Sequence, residues 1–257
     1  MAYSASAQVG DTMVCAGGQD AQNAFNTVFR LQLRAGKLHI ENLTSLPKPL
    51  TNAAAAVVNG RIFLVGGQHS AKPEDVSRQV WSLPLTDTSA GEAWHVEPEV
   101  PWTHARILPA VAGCGSSLYV AGGADLQMTA DKTPQREYLR DAWLLSTDKG
   151  VWQRLPDTPA AVTAAASICS PGGEFLIFGG DDGQLAQQIP TLRDQHPGFR
   201  RIVLQLQNRN RQWVQVSQLP LSLVTTGAAF WSGRYVIPGG ENQPGHRSSR
   251  VIANTLR

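Results

Sequence analysis

The chain has 257 residues, with 22 Lys and Arg against 20 Asp and Glu, for a formal charge of +2. That balance excludes the clustered cation excess on which phosphate-backbone binders and polybasic membrane anchors depend, and 42% apolar residues exclude a disordered chain. Charged residues reach only 16% where about 25% is usual, and Gly 24 with Pro 16 implies many turns between half-buried strands.

Read in chain order, five apolar runs each close on a Gly-Gly doublet: MVCAGG at Gly17-Gly18, IFLVGG at Gly66-Gly67, LYVAGG at Gly122-Gly123, FLIFGG at Gly179-Gly180 and YVIPGG at Gly239-Gly240. The steps are 49, 56, 57 and 60 residues. A Trp a few residues before a proline runs in phase with them: Trp94 before Pro98 and Pro101, Trp152 before Pro156, and Trp213 before Pro220. The first module has Leu38 in that place, ahead of Pro47. The approximate modules are 5–47, 48–101, 102–156, 157–220 and 221–257, and together they form a single domain.

Within the second module the order is AAAAVV, the turn Asn59-Gly60, RIFLV, a polar loop, RQVWSLPL and AWHVEPEV. Asn-Gly between two apolar runs predicts a tight hairpin, because both central residues of a type I′ turn need positive φ. Each module therefore reads as a four-stranded antiparallel sheet. The first strands carry small side chains (Ala53 to Ala56, Ala110 to Gly113, Ala164 to Ala166, Gly227 to Ala229), as expected where strands converge on a common axis. The predicted fold class is all-β, a β-propeller, and the doublets with the downstream Trp at a period near 50 resemble kelch repeats, one blade per repeat. The tryptophans are expected to pack between blades, and the doublets to serve backbone geometry.

The fifth module supplies only TTGAAFW, RYVIPGG and SRVIANTL, so the count is four complete blades and one without its outer strand. Two closures are compatible with that count: an atypical five-bladed ring, or an N-terminally shortened six-bladed propeller. The second is the expectation. It would leave two blade faces uncovered and open to self-association.

Cys15, Cys114 and Cys169 are odd in number and far apart, with no Cys-x-x-Cys or nearby His, and are expected to be buried thiols rather than a disulfide or a zinc site. No window approaches the ~18 consecutive apolar residues of a membrane span. The start, Met1 to Ser6, lacks the basic and apolar regions of a secretory signal, so the chain as it stands is expected in the cytoplasm.

Chemistry is expected where the loops after the doublets and the Pro loops before the inner strands meet over the axis. The polar residues there are Gln19, Gln68, His69, Arg106, Asp125, Asp181, Asp182, His196, Glu241, His246 and Arg247, a set suited to a small, polar, anionic ligand. In the last loop, Gly240-Glu241-Asn242-Gln243-Pro244-Gly245-His246-Arg247, a Pro-Gly turn predicts that Glu241 and Arg247 come together as a carboxylate beside a guanidinium.

That loop resembles the Gly-Glu-x-x-Pro-Gly-x-Arg loop of the N-acetylneuraminate epimerases, or sialic acid mutarotases, which are six-bladed kelch propellers. ARILPAVA at 105–112, FGGDDGQL at 178–185 and LRDQHPGF at 192–199 resemble a cyclically permuted branch of that family. The resemblance implies exchange of the α and β anomers of sialic acid, with Glu241 and Arg247 as the catalytic pair. Arg106, Asp181, Asp182, His196, Gln68 and His246 are the expected substrate-binding residues. It implies no metal or organic cofactor, a small sugar acid as ligand, no nucleic-acid or membrane partner, and a periplasmic location if a leading segment precedes Met1. The competing readings are a non-catalytic kelch propeller that binds a protein or glycan through the same loops, and an inactive shortened mutarotase. A copper propeller is disfavoured, because Tyr3, Tyr119, Tyr138 and Tyr235 form no evident ligand cluster.

Overall fold

The computed structural model describes residues 2–85, 92–97 and 100–255. Pro98, predicted to follow the Trp strand of the second module, lies outside them. Five antiparallel sheets follow one another along the chain. The first holds β1 (Ala5–Val9), β2 (Thr12–Ala16), β3 (Val28–Arg34) and β4 (Lys37–Leu43); the second holds β5 (Ala54–Val58), β6 (Arg61–Val65), β7 (Val80–Pro84) and β8 (His95–Val96). In the third, β9 (Ala110–Cys114) and β10 (Ser117–Ala121) are followed by a separate two-stranded ribbon, β11 (Ala124–Met128) and β12 (Pro134–Tyr138), before β13 (Ala142–Ser146) and β14 (Val151–Leu155) complete the sheet. The fourth holds β15 (Ala166–Cys169), β16 (Phe175–Gly180), β17 (Arg200–Leu206) and β18 (Trp213–Gln218), with the short helix α1 (Ile189–Leu192) in its second loop. The fifth has three strands: β19 (Ala229–Trp231), β20 (Arg234–Gln243) and β21 (His246–Asn254).

The turn chemistry behaves as the sequence predicts. Asn59 and Gly60 both take positive φ, 49° and 69°, and Val58 pairs with Arg61 across them. The inner strands β1, β5, β9 and β15 lie side by side around the axis. Their closeness explains the small residues: a Cβ on Gly113 would stand 2.1 Å from the Val57 carbonyl oxygen of the preceding blade. Ser167 stitches the next pair, because its hydroxyl accepts from the Val111 N–H (2.9 Å) and donates to the Val111 carbonyl (3.0 Å).

The core is divided among the seams between consecutive blades. Val14, Val28 and Leu46 meet Ile62, Leu64, Leu83 and Trp94; Phe63 and Val65 meet Leu118 and Val120; Tyr119 and Leu144 meet Phe175 and Ile177; Phe178 and Val203 meet Tyr235 and Ile237. Each fully buried side chain of this kind contributes about 1.5–3 kcal/mol, so blade stacking holds the molecule together. Trp94, Trp152 and Trp213 lie at these seams. The Trp94 indole N–H donates to the Thr44 carbonyl of the blade before it (2.9 Å), and that of Trp213 to the Pro156 carbonyl (2.8 Å).

The doublets mark the same seams. A Cβ on Gly66 would lie 2.1 Å from the Arg106 carbonyl oxygen of the following blade, whereas on Gly239 the nearest atom is the Ser248 carbonyl oxygen of its own blade at 3.0 Å. Both glycines have positive φ, 65° and 60°, so alanine is strained at either position by about 1 kcal/mol. Only at Gly66 must a neighbouring blade also move. Thermal unfolding is expected to show Gly66→Ala distinctly less stable than Gly239→Ala, and equal losses would remove the seam from the explanation.

The cysteine expectation is corrected in part. Cys15 is a buried free thiol, raised in pKa by its burial, but Cys114 and Cys169 form a disulfide with Cα atoms 5.4 Å apart. They end the inner strands β9 and β15 of adjacent blades, so a separation of 55 residues is one repeat, and stacking the repeats brings equivalent positions together.

The seam between the fifth and first blades differs. On the outer face of the first blade, Met13, Leu31 and Ile40 pair in register across β2, β3 and β4, with Leu33 opposite Leu38 beside them. Ile40 is 66% exposed, as is 71% of Trp231 on the fifth blade.

Candidate functional site

The inner strands enclose an axial cavity of about 1040 Å³. At its rim a residue with positive φ precedes each inner strand: Tyr3 (55°), Asn52 (57°), Leu108 (52°), Ala164 (57°) and Thr225 (57°). Their backbones form a chain around the axis. The N–H of Asn52 donates to the Tyr3 carbonyl (3.0 Å), Leu108 to Asn52 (2.7 Å), Ala164 to Leu108 (2.9 Å) and Thr225 to Ala164 (2.8 Å). Among the described residues no such bond joins Tyr3 N–H to the Thr225 carbonyl, so the chain stops at the seam between the fifth and first blades.

A side chain closes part of that interval. The segment predicted as a loop is a continuation of the β20–β21 hairpin, in which Glu241 pairs with Arg247 and Gln243 with His246, with register shifts at Pro238/Gly240 and Glu241/Gln243. Pro244 and Gly245 turn it, Gly245 having φ 77°, as a Pro-Gly turn of type II requires. The Gly245 N–H donates to Glu241 Oε1 (2.7 Å), while the Glu241 backbone is fixed by mutual bonds with Val224 (2.9 Å each). Glu241 Oε2 lies 3.9 Å from Arg247 Nη1, an ion pair too long for a hydrogen bond. Arg247 Nη2 donates to the Tyr3 hydroxyl (3.2 Å), with the guanidinium carbon 5.9 Å from the Tyr3 ring centre. The Arg247 side chain is 55% exposed and that of Glu241 only 19%.

Arg247 is the one charged side chain among the described residues that line the cavity. Around it the wall offers hydroxyls and amides from Tyr3, Ser4, Ser6, Asn52, Ser167 and Thr225. Such a surface can hold an anionic, polyhydroxylated ligand: the guanidinium takes a carboxylate and the hydroxyls replace water around the ring.

The six expected substrate-binding residues are not in that wall. Arg106 is the plainest correction. Its side chain is 0% exposed, donating to the Gly122 carbonyl (2.8 Å) and to both oxygens of Asp141 (3.2 and 2.7 Å), and its guanidinium carbon stands 4.5 Å from the Trp102 ring centre. The others hold their own loops. Gln68 accepts from the Asn52 amide and donates to the Ser70 carbonyl; Asp181 accepts from Gly183 N–H and the Tyr138 hydroxyl; Asp182 pairs with Arg200 at 3.0 Å. His196, 4% exposed, accepts from Gly198 N–H through Nδ1 and so holds the HPGF turn, and His246 pairs with Asp194 at 3.2 Å.

Tyr3, Asn52 and Thr225 line the cavity and were missed by the sequence reading. The signal was in the repeat, because each rim residue precedes its doublet by fourteen or fifteen positions, but at that register the side chains have nothing in common.

No family model matches the chain. It is 24% identical over 216 residues to a kelch repeat-containing protein of Arabidopsis thaliana, covering 78% of this chain and 47% of that protein. It is 28% identical over 192 residues to acyl-CoA-binding domain-containing protein 5 of the same organism, covering 73% of this chain and 28% of that protein. The chain thus spans half or less of the length of these curated relatives. Among solved structures, that of YjhT superposes with a TM-score of 0.72 over 99% of this chain and 81% of its own, at 16% identity. The fold is a kelch-type β-propeller of five blades. This propeller places its apolar mass in the seams, and no helix among the described residues is long and apolar enough to cross a membrane.

Proposed function

We infer that this kelch propeller is a sugar-acid mutarotase that exchanges the α and β anomers of N-acetylneuraminate. The observation that carries the reading is a guanidinium, Arg247, as the one charged side chain among the described residues of an axial cavity whose mostly small, apolar wall carries scattered hydroxyls, with the carboxylate of Glu241 3.9 Å from it. The resemblance of the Gly-Glu-x-x-Pro-Gly-x-Arg loop names the substrate class. Arg247 takes the sugar carboxylate and holds the anomeric centre near Glu241. Glu241 removes the anomeric hydroxyl proton as the ring C–O bond breaks, the ring oxygen takes a proton from a water molecule, and the hydroxide left behind is neutralised by the proton on Glu241. The open keto form then rotates about the bond to its carbonyl carbon, and the steps reverse on the other face. The substrate is unchanged in composition, so the reaction requires no redox partner.

The Cys114–Cys169 disulfide supports an oxidising compartment, and so the periplasmic rather than the cytoplasmic expectation. Proton NMR of freshly released α-N-acetylneuraminate tests the activity. The protein is expected to equilibrate the anomers faster than buffer at the same pH, and a rate equal to the buffer blank would sink the enzyme reading.

A further inference from the structure

The third blade carries a feature that the axial site does not use. The ribbon β11–β12 leaves its sheet directly after the doublet at Gly122-Gly123, and on it Asp125 and Glu137 stand directly opposite one another in register. Two like charges at such a position repel. His104, from the loop before the inner strand, brings its Nδ1 to 3.4 Å from Asp125 Oδ2 and to 3.4 Å from Glu137 Oε2. All three donor atoms lie within 4.8 Å of one another.

The spacing is informative. At 3.4 Å the imidazole nitrogen is beyond the usual hydrogen-bond range. However, ligand atoms bound about 2.1 Å from a tetrahedral ion are about 3.4 Å apart, from the metal–ligand lengths of zinc sites. The Asp125 carboxylate is also oriented from behind, because the Leu126 N–H donates to Oδ1 (2.9 Å) and leaves Oδ2 toward His104, whereas the Gln127 amide donates to Glu137 Oε2 (2.6 Å), the same oxygen that faces His104, and so holds that atom in place. Such bonds fix carboxylate ligands in metal centres. An imidazole with two carboxylates suits a borderline divalent ion better than magnesium or calcium, which take oxygen alone.

We propose that His104, Asp125 and Glu137 bind one divalent transition-metal ion of the zinc type, with a fourth position open to water or a ligand. The family resemblance implied no metal, and the sequence carries no sign of this one, because the three ligands are 21 and 12 residues apart on a loop and two strands, without the short spacings of familiar zinc motifs. The site is separate from Glu241 and Arg247 in sequence and wall, so it stands or falls independently of the mutarotase reading.

The test is calorimetric titration of chelator-treated protein with Zn²⁺ alone, then with Mg²⁺. One equivalent of Zn²⁺ is expected to bind, with Mg²⁺ much weaker. His104→Ala and Glu137→Gln should each weaken Zn²⁺ binding by about tenfold or more, while His39→Ala, at an exposed position on β4, leaves it unchanged. No saturable binding, or affinity retained in His104→Ala, overturns the proposal. If a substituted chain fails to fold, Co²⁺ added to the unsubstituted protein decides: strong visible bands of a four-coordinate ion support the site, and weak six-coordinate bands overturn it.

Discussion

Glu241→Gln and Arg247→Ala are each expected to lower the rate of anomer exchange by about 10²–10⁴-fold, the usual contribution of a positioned acid–base group. The two losses should differ in kind. Glutamine keeps the shape of Glu241 and an oxygen that can still accept from the Gly245 N–H, so the hairpin turn is preserved. What it cannot do is take a proton, and the loss should fall on kcat. Arg247→Ala removes the one charge among the described residues of the cavity wall, so it should raise KM for the carboxylate-bearing sugar as well as lowering kcat. Stopped exchange followed by NMR over a range of sugar concentrations separates the two effects. Retained activity in either variant would remove that residue from the mechanism. A loss in Arg247→Ala confined to Tm would reduce the residue to a clasp between β21 and Tyr3.

Breaking the Arg106–Asp141 pair is expected to cost about 3 kcal/mol, the lower end for a broken buried pair, because Asp141 keeps the Trp143 indole N–H (2.6 Å) and Arg154 (3.8 Å) when Arg106 is removed. Arg106 is fully enclosed and Asp141 is 19% exposed. Burial alone would raise the Asp141 carboxyl above its usual value. The hydrogen bonds and charge of Arg106, the Trp143 indole N–H and the charge of Arg154 together outweigh that effect, so the net direction is down. A lowered native value stabilises the fold where the carboxyl is ionised in both states. The contribution is therefore complete above about pH 4, the ordinary aspartate range, and is lost as pH falls through the lower native value. Arg106→Met should lower Tm strongly at neutral pH, by about 2–4 °C for each kcal/mol in a chain of this size. In this variant the acid-dependent part of stability due to Asp141 should also diminish. If Arg106 instead bound substrate, as the sequence suggested, Arg106→Met would raise KM with Tm nearly unchanged.

The two pairs show why residue type alone misleads. Glu241–Arg247 and Arg106–Asp141 are the same chemistry, a carboxylate with a guanidinium. In one, only the cation lines the cavity, half in solvent, and the other is sealed beside Trp102. Both arginines follow a proline loop or a Pro-Gly turn on the same side of the repeat, so their sequence neighbourhoods gave no warning of the difference. Depth in a seam is a property of two blades, and each blade's text describes only itself.

The amino-acid order by itself determined the repeat, the hairpins, the small inner strands and the meeting of Glu241 with Arg247. All of these are local: a turn needs positive φ at one or two positions, and a hairpin fixes partners within a few residues of the turn. It also placed Trp94, Trp152 and Trp213 at the seams, because a large apolar ring is most stable when covered. Only the tertiary structure decided that Tyr3 meets Arg247, 244 positions away, that Cys114 joins Cys169, and that His104 converges with Asp125 and Glu137. Those contacts depend on how far one blade turns relative to the next. That angle is set by the summed packing of four seams rather than by any one stretch of chain.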